Sequence, residues 1–171
     1  MPEYSIESGL FHINRGMPVL FEQPPLRLPL VTGMLIGRVA GSEEQKFCSG
    51  NRPNYDGEKL IIPQNAHSST ISRRHGRITG RGTETSMDFS YQHLSRSGMQ
   101  TCLWTPEDGL VAVVSQCGEA MELCISGECA AERYLFLGGK ADMDDLAGKF
   151  RGFSYYALIR RGDSGLLKKF K

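Results

Sequence analysis

Apolar and polar residues along this chain alternate with a period of two or gather in short apolar runs, a pattern typical of β-strands. Pairs of turn-forming residues, such as Pro24-Pro25 and Gly138-Gly139, separate the runs. The predicted strands are residues 10–13, 19–21, 26–31, 34–38, 59–62, 74–79, 86–91, 100–104, 110–115, 121–125, 133–137 and 153–160. Many short strands at this spacing favour an all-β sandwich or barrel.

Two segments depart from the strand pattern. Residues 39–58 are rich in Gly, Ser, Asn, Pro and charged residues, which predicts a long loop insertion that is either functional or simply solvated. Asp142 is suited to cap one short peripheral helix, whose apolar face would hold Met143, Leu146, Ala147 and Phe150. The sequence has no internal repeat and no interdomain linker. We therefore expect one domain over residues 9–161, with an N-terminal extension at 1–8 and a basic C-terminal tail at 162–171.

The composition narrows the class of protein. The chain has 171 residues, of which 40% are hydrophobic, enough for the core of one compact domain. The apolar runs fall far short of the ~20 residues that cross a bilayer, and the N-terminus carries acids where a secretory signal carries basic residues. Five cysteines without a C-x-x-C pair predict reduced thiols, not a disulfide framework or a zinc site. We expect a soluble intracellular protein, nuclear or cytoplasmic, without membrane contact.

One short basic segment carries most of the candidate chemistry. Residues 71–81 contain four arginines and no acid, although the formal net charge of the whole chain is only +1. Ser72, Arg73, Arg74 and His75 follow one another, so a hydroxyl, two guanidinium groups and an imidazole are consecutive. Arginine suits planar, multidentate recognition of phosphate, and a serine hydroxyl adds a short hydrogen bond. The segment predicts a phosphate-binding site.

Two further motifs flank this segment. Gly37 and Arg38 end a predicted strand, and Ser97 and Gly98 form a turn between two other predicted strands. A Gly-Arg pair, an S-x-x-H motif and a turn with glycine, in this order and each between short strands, resemble the forkhead-associated (FHA) domain. The matching core covers residues 26–104.

The resemblance implies a fold, a ligand and a role for several residues. The fold is a β-sandwich of about eleven strands, and loops at one end of it bind phosphothreonine in an extended peptide. By that analogy Arg38 contacts the peptide or its phosphate, Ser72 donates its hydroxyl to the phosphate, and Arg73 supplies charge and hydrogen bonds beside it. The supporting residues that the resemblance implies are Gly37, His75 and Gly98.

The third motif departs from the family pattern. The family commonly has asparagine before the turn glycine, and its amide holds the peptide backbone; here that residue is Ser97, preceded by Arg96. A hydroxyl cannot reproduce the paired donor and acceptor of an amide, and one lost hydrogen bond costs about 0.5–1.5 kcal/mol. The change affects clamping of the peptide more than binding of the phosphate, and Arg96 offsets it with charge. Arg96 and Ser97 therefore stay among the predicted peptide-binding residues.

Other kinds of function fit the sequence less well. Alternation along a strand places Arg73 and Arg77 on the face opposite Arg74, and the run lacks aromatic residues, which argues against a nucleic-acid partner. No nucleophile elbow and no metal-ligand spacing of histidines is present, so we expect neither an enzyme nor a bound metal or cofactor.

The leading prediction is a phosphothreonine-binding module that recruits a phosphorylated protein in a kinase-dependent pathway. The alternative is an FHA-fold scaffold that associates with a protein without recognising phosphate.

Overall fold

The computed structural model of the chain consists mainly of β-strands in two sheets. It describes residues 3–14, 17–20, 25–48, 50–65, 68, 70–83, 86–97, 100–105, 108–125, 128–129, 133–139 and 152–162. The elements in these residues are β1 (Glu3–Asn14), β2 (Met17–Leu20), β3 (Leu26–Pro29), β4 (Met34–Arg38), α1 (Ser42–Phe47), β5 (Asn54–Tyr55), β6 (Lys59–Ile62), β7 (Gly76–Thr83), β8 (Ser86–His93), β9 (Thr101–Thr105), β10 (Gly109–Val114), β11 (Ala120–Ile125), β12 (Glu128–Cys129), β13 (Tyr134–Gly139) and β14 (Gly152–Gly162).

The strands divide into two sheets that share one core. Sheet A has the order β10-β9-β13-β14-β1-β2, with β3 also paired to β1. Sheet B has the order β12-β11-β8-β7-β4-β6-β5. Apolar residues from both sheets form a common cluster, so the predicted all-β sandwich is confirmed. The described part of the chain contains fourteen strands where the resemblance implied about eleven.

The core forms because alternate residues of each strand face the opposite sheet. Met34 and Ile36 of β4 are buried in it, as are Tyr155 and Ala157 of β14. The intervening residues of sheet A lie on its other face and form a second buried cluster. The members of this cluster are Cys102, Trp104, Phe136, Tyr156 and Leu158.

The first strand extends the domain beyond its predicted boundary. The sequence predicts an extension at residues 1–8, whereas residues 3–8 lie in β1 and pair with β14. Ile6 is only 1% exposed and belongs to the core. The strand pattern is obscured there because Ser5 and Ser8 are also buried. β14 likewise continues one residue into the predicted tail.

Residues 39–58 form a crossover connection and not the predicted loop insertion. β4 and β6 are parallel neighbours, so the chain must return from the end of one to the start of the other. The connection contains α1 and then β5, which pairs antiparallel with β6. The sequence does not reveal α1, because a helix of six residues with none buried has no apolar stripe.

The helix predicted after Asp142 lies outside the described residues, as does most of the predicted tail. Within the described ranges, no helix has the length and apolarity needed to cross a membrane.

Candidate functional site

Sheet B brings the three predicted motifs to one of its ends. β7 lies between β4 and β8 and runs antiparallel to both, with Ile36, Gly76 and His93 in register across the three strands. The end of β4, the start of β7 and the end of β8 therefore meet at one edge. We call the residues there the loop end: Arg38, residues 72–75 before β7, and residues 94–97 after β8.

Backbone hydrogen bonds fix these segments against each other. The N–H of Arg38 donates to the carbonyl of Ser72 at 2.9 Å, and the N–H of His75 donates to the carbonyl of Ile36 at 2.9 Å. The carbonyl of His75 in turn accepts the N–H groups of Leu94 and Ser95 at 2.9 and 3.1 Å. His75 thus links the strand that carries Arg38 to the turn that follows β8.

Gly37 allows the first two segments to approach closely. A Cβ atom at this position would lie 1.9 Å from the carbonyl oxygen of Arg73. That contact is with rigid backbone and is far inside van der Waals distance, so any side chain here would push residues 72–73 away. Glycine is needed at position 37 because the neighbouring loop occupies the space that a side chain would fill.

His75 is fully buried beneath the loop end, with 0% of its surface exposed. Its Nδ1 accepts the backbone N–H of Ser72 at 3.0 Å, and its Nε2 lies 2.7 Å from the hydroxyl oxygen of Thr101. Since Nδ1 acts as an acceptor, the ring proton of the neutral imidazole is on Nε2 and is donated to Thr101. Burial, and then the nearby His93, lower the pKa of His75 to about 3. The ring is neutral near neutral pH.

A buried polar network continues from His75 into the sandwich. The hydroxyl of Tyr91 donates to the carbonyl of His75 at 3.1 Å and lies 2.9 Å from Nδ1 of His93. The rings of His75 and His93 meet edge to face, with centroids 5.2 Å apart. Burial raises the pKa of Tyr91, so its proton stays on the hydroxyl. The sequence pattern does not identify Tyr91, His93 and Thr101 as part of the site; strand alternation could place the first two on one face but could not pair them with His75.

Ser72 also has a side-chain partner that the sequence analysis missed. Its hydroxyl oxygen lies 2.5 Å from that of Ser95. Ser95 is 1% exposed, whereas Ser72 is partly exposed. The Ser72 side chain therefore stands between a buried hydroxyl and the surface.

Four arginines belong to the segments of the loop end. Arg38 is half-buried, and its Nε is buried without a hydrogen-bond partner in the described part of the chain. The side chains of Arg73, Arg74 and Arg96 are exposed. Because that Nε is buried, an anion at the loop end would contact the terminal nitrogens of the Arg38 guanidinium. The arrangement can hold an anion by charge-assisted hydrogen bonds.

The remaining predicted residues lie in the turn after β8. Ser97 is exposed, next to Arg96, and has no hydrogen bond to another described residue. Gly98, the predicted turn glycine, lies outside the described residues. Backbone hydrogen bonds bring the segments of Arg38, Ser72 and Ser95 together.

Two further elements border the loop end. The turn between β10 and β11 is held to β8, because the N–H of Gly118 donates to the carbonyl of His93 and the N–H of His93 donates to the carbonyl of Glu119, both at 2.8 Å. Backbone N–H groups of Ser115 and Gln116 bind the Glu119 carboxylate and lower its pKa. The Glu119 carboxylate therefore stabilises the turn that is held to β8.

The crossover contributes the second of these elements. Glu44 of α1 accepts the backbone N–H of Ala40 at 2.8 Å and pairs with Lys59 at 3.1 Å. The Lys59 ammonium, which is largely buried, also donates to the carbonyl of Arg38 at 2.8 Å. Gln45 accepts the N–H of Gln64, which precedes the Ser72 loop. These bonds hold α1 next to Arg38.

The described residues also form a cavity of about 320 Å³ away from the loop end. It lies at the start of β4, where Leu35, Tyr55 and Arg77 contribute to its lining. None of the predicted phosphate-binding residues lines it.

The fold and the loop end together define a two-sheet β-sandwich with a candidate anion-binding site on its loops. A scan against protein-family models found no match, and a search of curated proteins found none either. Among solved structures, full-length yeast Pml1p is similar, with a TM-score of 0.47 and 16% sequence identity over 92% of this chain and 83% of that one. A likeness at this level carries no argument about function.

Proposed function

We propose that this chain is an FHA-type module that binds phosphothreonine in a peptide of a partner protein and recruits that partner in a kinase-dependent pathway. The observation that carries the proposal is the junction of Arg38 and Ser72, where the N–H of one donates to the carbonyl of the other at 2.9 Å. This bond keeps a guanidinium and a partly exposed hydroxyl at the same edge of sheet B.

Phosphothreonine matches the donors at this junction. The phosphate carries about −1.5 to −2 charges near neutral pH and offers three acceptor oxygens. The donors are the half-buried guanidinium of Arg38, the hydroxyl of Ser72 and the exposed guanidinium of Arg73. A divalent anion with three acceptors suits this set better than a single carboxylate does.

The expected affinity follows from these contacts. Three charge-assisted hydrogen bonds contribute roughly 1.5–3 kcal/mol each. Association and ordering of a flexible peptide cost at least ~4 kcal/mol. These three bonds alone therefore leave at most about 5 kcal/mol, a dissociation constant of about 0.2 mM, and micromolar affinity requires about 3 kcal/mol more from the residues that flank the phosphothreonine. The methyl group of threonine adds ~0.8 kcal/mol if it is buried, so phosphoserine should bind about fourfold more weakly.

Fluorescence anisotropy with degenerate phosphothreonine peptides tests the proposal. The wild-type chain should bind them saturably and should bind the unphosphorylated pool at least about tenfold more weakly. Arg38→Ala should lower the affinity about tenfold or more, because it removes the half-buried guanidinium. Arg81→Ala is the matched control, since Arg81 is an exposed arginine toward the other end of β7 and should not affect binding.

A second candidate function rests on Ser97. This exposed hydroxyl cannot clamp a peptide backbone as an amide does, which favours an FHA-fold scaffold that associates with a protein independently of phosphate. Equal binding of phosphorylated and unphosphorylated peptides, with no effect of Arg38→Ala, would reject specific binding of phosphothreonine. The scaffold function would then be the remaining candidate.

A further inference from the structure

We propose that Ser95 is a positioning residue that makes Ser72 a hydrogen-bond donor to the bound phosphate. The inference rests on the proposed function, because it assigns a role to a residue behind the same site. It starts from the contact between the hydroxyl oxygens of Ser72 and Ser95, which are 2.5 Å apart.

Only one proton can occupy this contact, and burial determines which hydroxyl supplies it. Ser95 is 1% exposed, and its hydroxyl has no other hydrogen-bond partner in the described part of the chain. If Ser72 donated to Ser95, the Ser95 proton would be buried without an acceptor, which is unfavourable in a protein interior. Ser95 is therefore the donor and Ser72 the acceptor.

This direction prepares Ser72 for an anion. Because the Ser72 oxygen already accepts a hydrogen bond from Ser95, its own proton is available to the surface. A phosphate dianion has only acceptor oxygens, so it needs this proton and would be repelled by a lone pair in its place. Donation from Ser95 also polarises the Ser72 hydroxyl and strengthens the bond that it donates.

The backbone holds Ser95 in the position that this role requires. Its N–H donates to the carbonyl of His75 at 3.1 Å, and Nδ1 of the same histidine accepts the N–H of Ser72 at 3.0 Å. His75 thus sets the separation of the two serines through bonds to both of their backbones. Ser95 itself is too deeply buried to touch a peptide, so it acts through Ser72.

A double-mutant cycle measured by anisotropy with the phosphothreonine peptide pool tests the role. Ser95→Ala should weaken binding about threefold to tenfold in the wild-type background and should have no further effect in a Ser72→Ala background. The same loss in both backgrounds would mean a purely structural effect and would overturn the proposal, as would wild-type affinity of Ser95→Ala.

The matched control is Ser8→Ala. Ser8 is also 1% exposed, and its hydroxyl donates to the carbonyl of Tyr156 at 2.7 Å within sheet A. Removing it costs a buried hydrogen bond remote from the loop end, so the affinity for the peptides should stay unchanged. A loss of affinity like that of Ser95→Ala would show that any buried serine has this effect and would overturn the proposal.

A second measurement needs neither a variant nor peptide binding. Proton NMR of the wild-type chain should show a slowly exchanging hydroxyl proton that is coupled to the β-protons of Ser95. A slow proton on Ser72, or none on Ser95, would overturn the proposal even if phosphopeptides bind. If the wild-type chain binds no phosphopeptide, the proposed function fails, and this spectrum decides the Ser95 assignment separately.

Discussion

At the scale of single residues, His75 shows how burial gives a common side chain one protonation state. Both ring nitrogens have partners, Ser72 through its backbone N–H and Thr101 through its hydroxyl. The S-x-x-H motif predicts that His75 supports the site. The partners could not be read from the motif, because Thr101 lies 26 positions further along the chain.

The free energy of unfolding should depend on pH because of the protonation of His75. Its pKa falls from 6.5 to about 3 on folding, so the unfolded chain binds the proton more readily. The contribution of a neutral, buried histidine is therefore complete above pH 6.5 and is lost as the pH falls toward 3. We expect a loss of about 1.4 kcal/mol in the free energy of unfolding between about pH 7.5 and about pH 5.5, measured by urea denaturation.

The variant His75→Gln provides the comparison for this measurement. It should be less stable near neutral pH, since the Ser72 N–H and the Thr101 hydroxyl lose their partner. Its free energy of unfolding should change less over the same pH interval, because the titrating ring is gone. An unchanged pH dependence would show that another group causes the loss.

At the scale of elements, the crossover between β4 and β6 places α1 beside the loop end. Glu44 and Lys59 hold α1 to the carbonyl of Arg38. The side chains of Glu43, Lys46 and Phe47 in α1 are exposed, and that of Phe47 is 45% exposed. An exposed aromatic ring on an element next to the proposed phosphate site can contact residues that flank the phosphothreonine. We propose that this element contributes to peptide selectivity.

Replacing the exposed side chains of α1 should change peptide preference. In the variant Glu43→Ala/Lys46→Ala/Phe47→Ala, we expect the preferred flanking residues to change and the affinity for the best wild-type peptide to fall about fivefold. The thermal midpoint should change little, because no residue of α1 is buried. Arrays of degenerate phosphothreonine peptides measure the preference.

Val111→Ala is the control for this change. Val111 is 44% exposed and lies on β10 in sheet A, so its loss removes a comparable apolar surface from an unrelated strand. Peptide preference should match that of the wild-type chain. If the α1 variant also keeps the wild-type affinity and preference, the proposed selectivity role is rejected.

At the scale of the whole molecule, β1 pairs with β14, so the first and last strands of the described residues are neighbours within sheet A. The register runs from Glu3 with Gly162 to Ile13 with Gly152. β1 also pairs with β2 and β3, so it lies inside the sheet and not at its edge. Removing part of this strand would expose both the core and the backbone groups of its neighbours.

Deletion of residues 1–8 should therefore prevent cooperative folding. If these residues were only an extension of the domain, their deletion would leave folding unchanged. The deletion takes away Tyr4 and Ile6, which are 8% and 1% exposed, together with the pairs that these residues make with β14. Differential scanning calorimetry should show no native transition. Ile6→Ala alone should cost about 2–5 kcal/mol.

Val31→Ala is the reference for these losses. Val31 is 49% exposed, so its substitution should change the free energy of unfolding by less than about 0.5 kcal/mol. A truncated chain that unfolds at the wild-type temperature would show that residues 3–8 add nothing to the fold.

Most of the strands were predictable from the sequence, because each is local and its alternation of apolar and polar residues is visible along the chain. The motifs of Arg38, residues 72–75 and Ser97 were also visible, since they are contiguous groups of unusual residues. Elements without a local pattern were missed: α1 buries no residue, and the start of β1 includes buried serines.

The sequence by itself determined the all-β class, the basic segment and the order of the three motifs. Tertiary structure alone decided that sheet B brings the motifs to one end, that Gly37 must leave space for the carbonyl of Arg73, and that Ser95 lies behind Ser72. The physical reason is that register and burial depend on strands far apart in the chain, whose pairing no local pattern encodes.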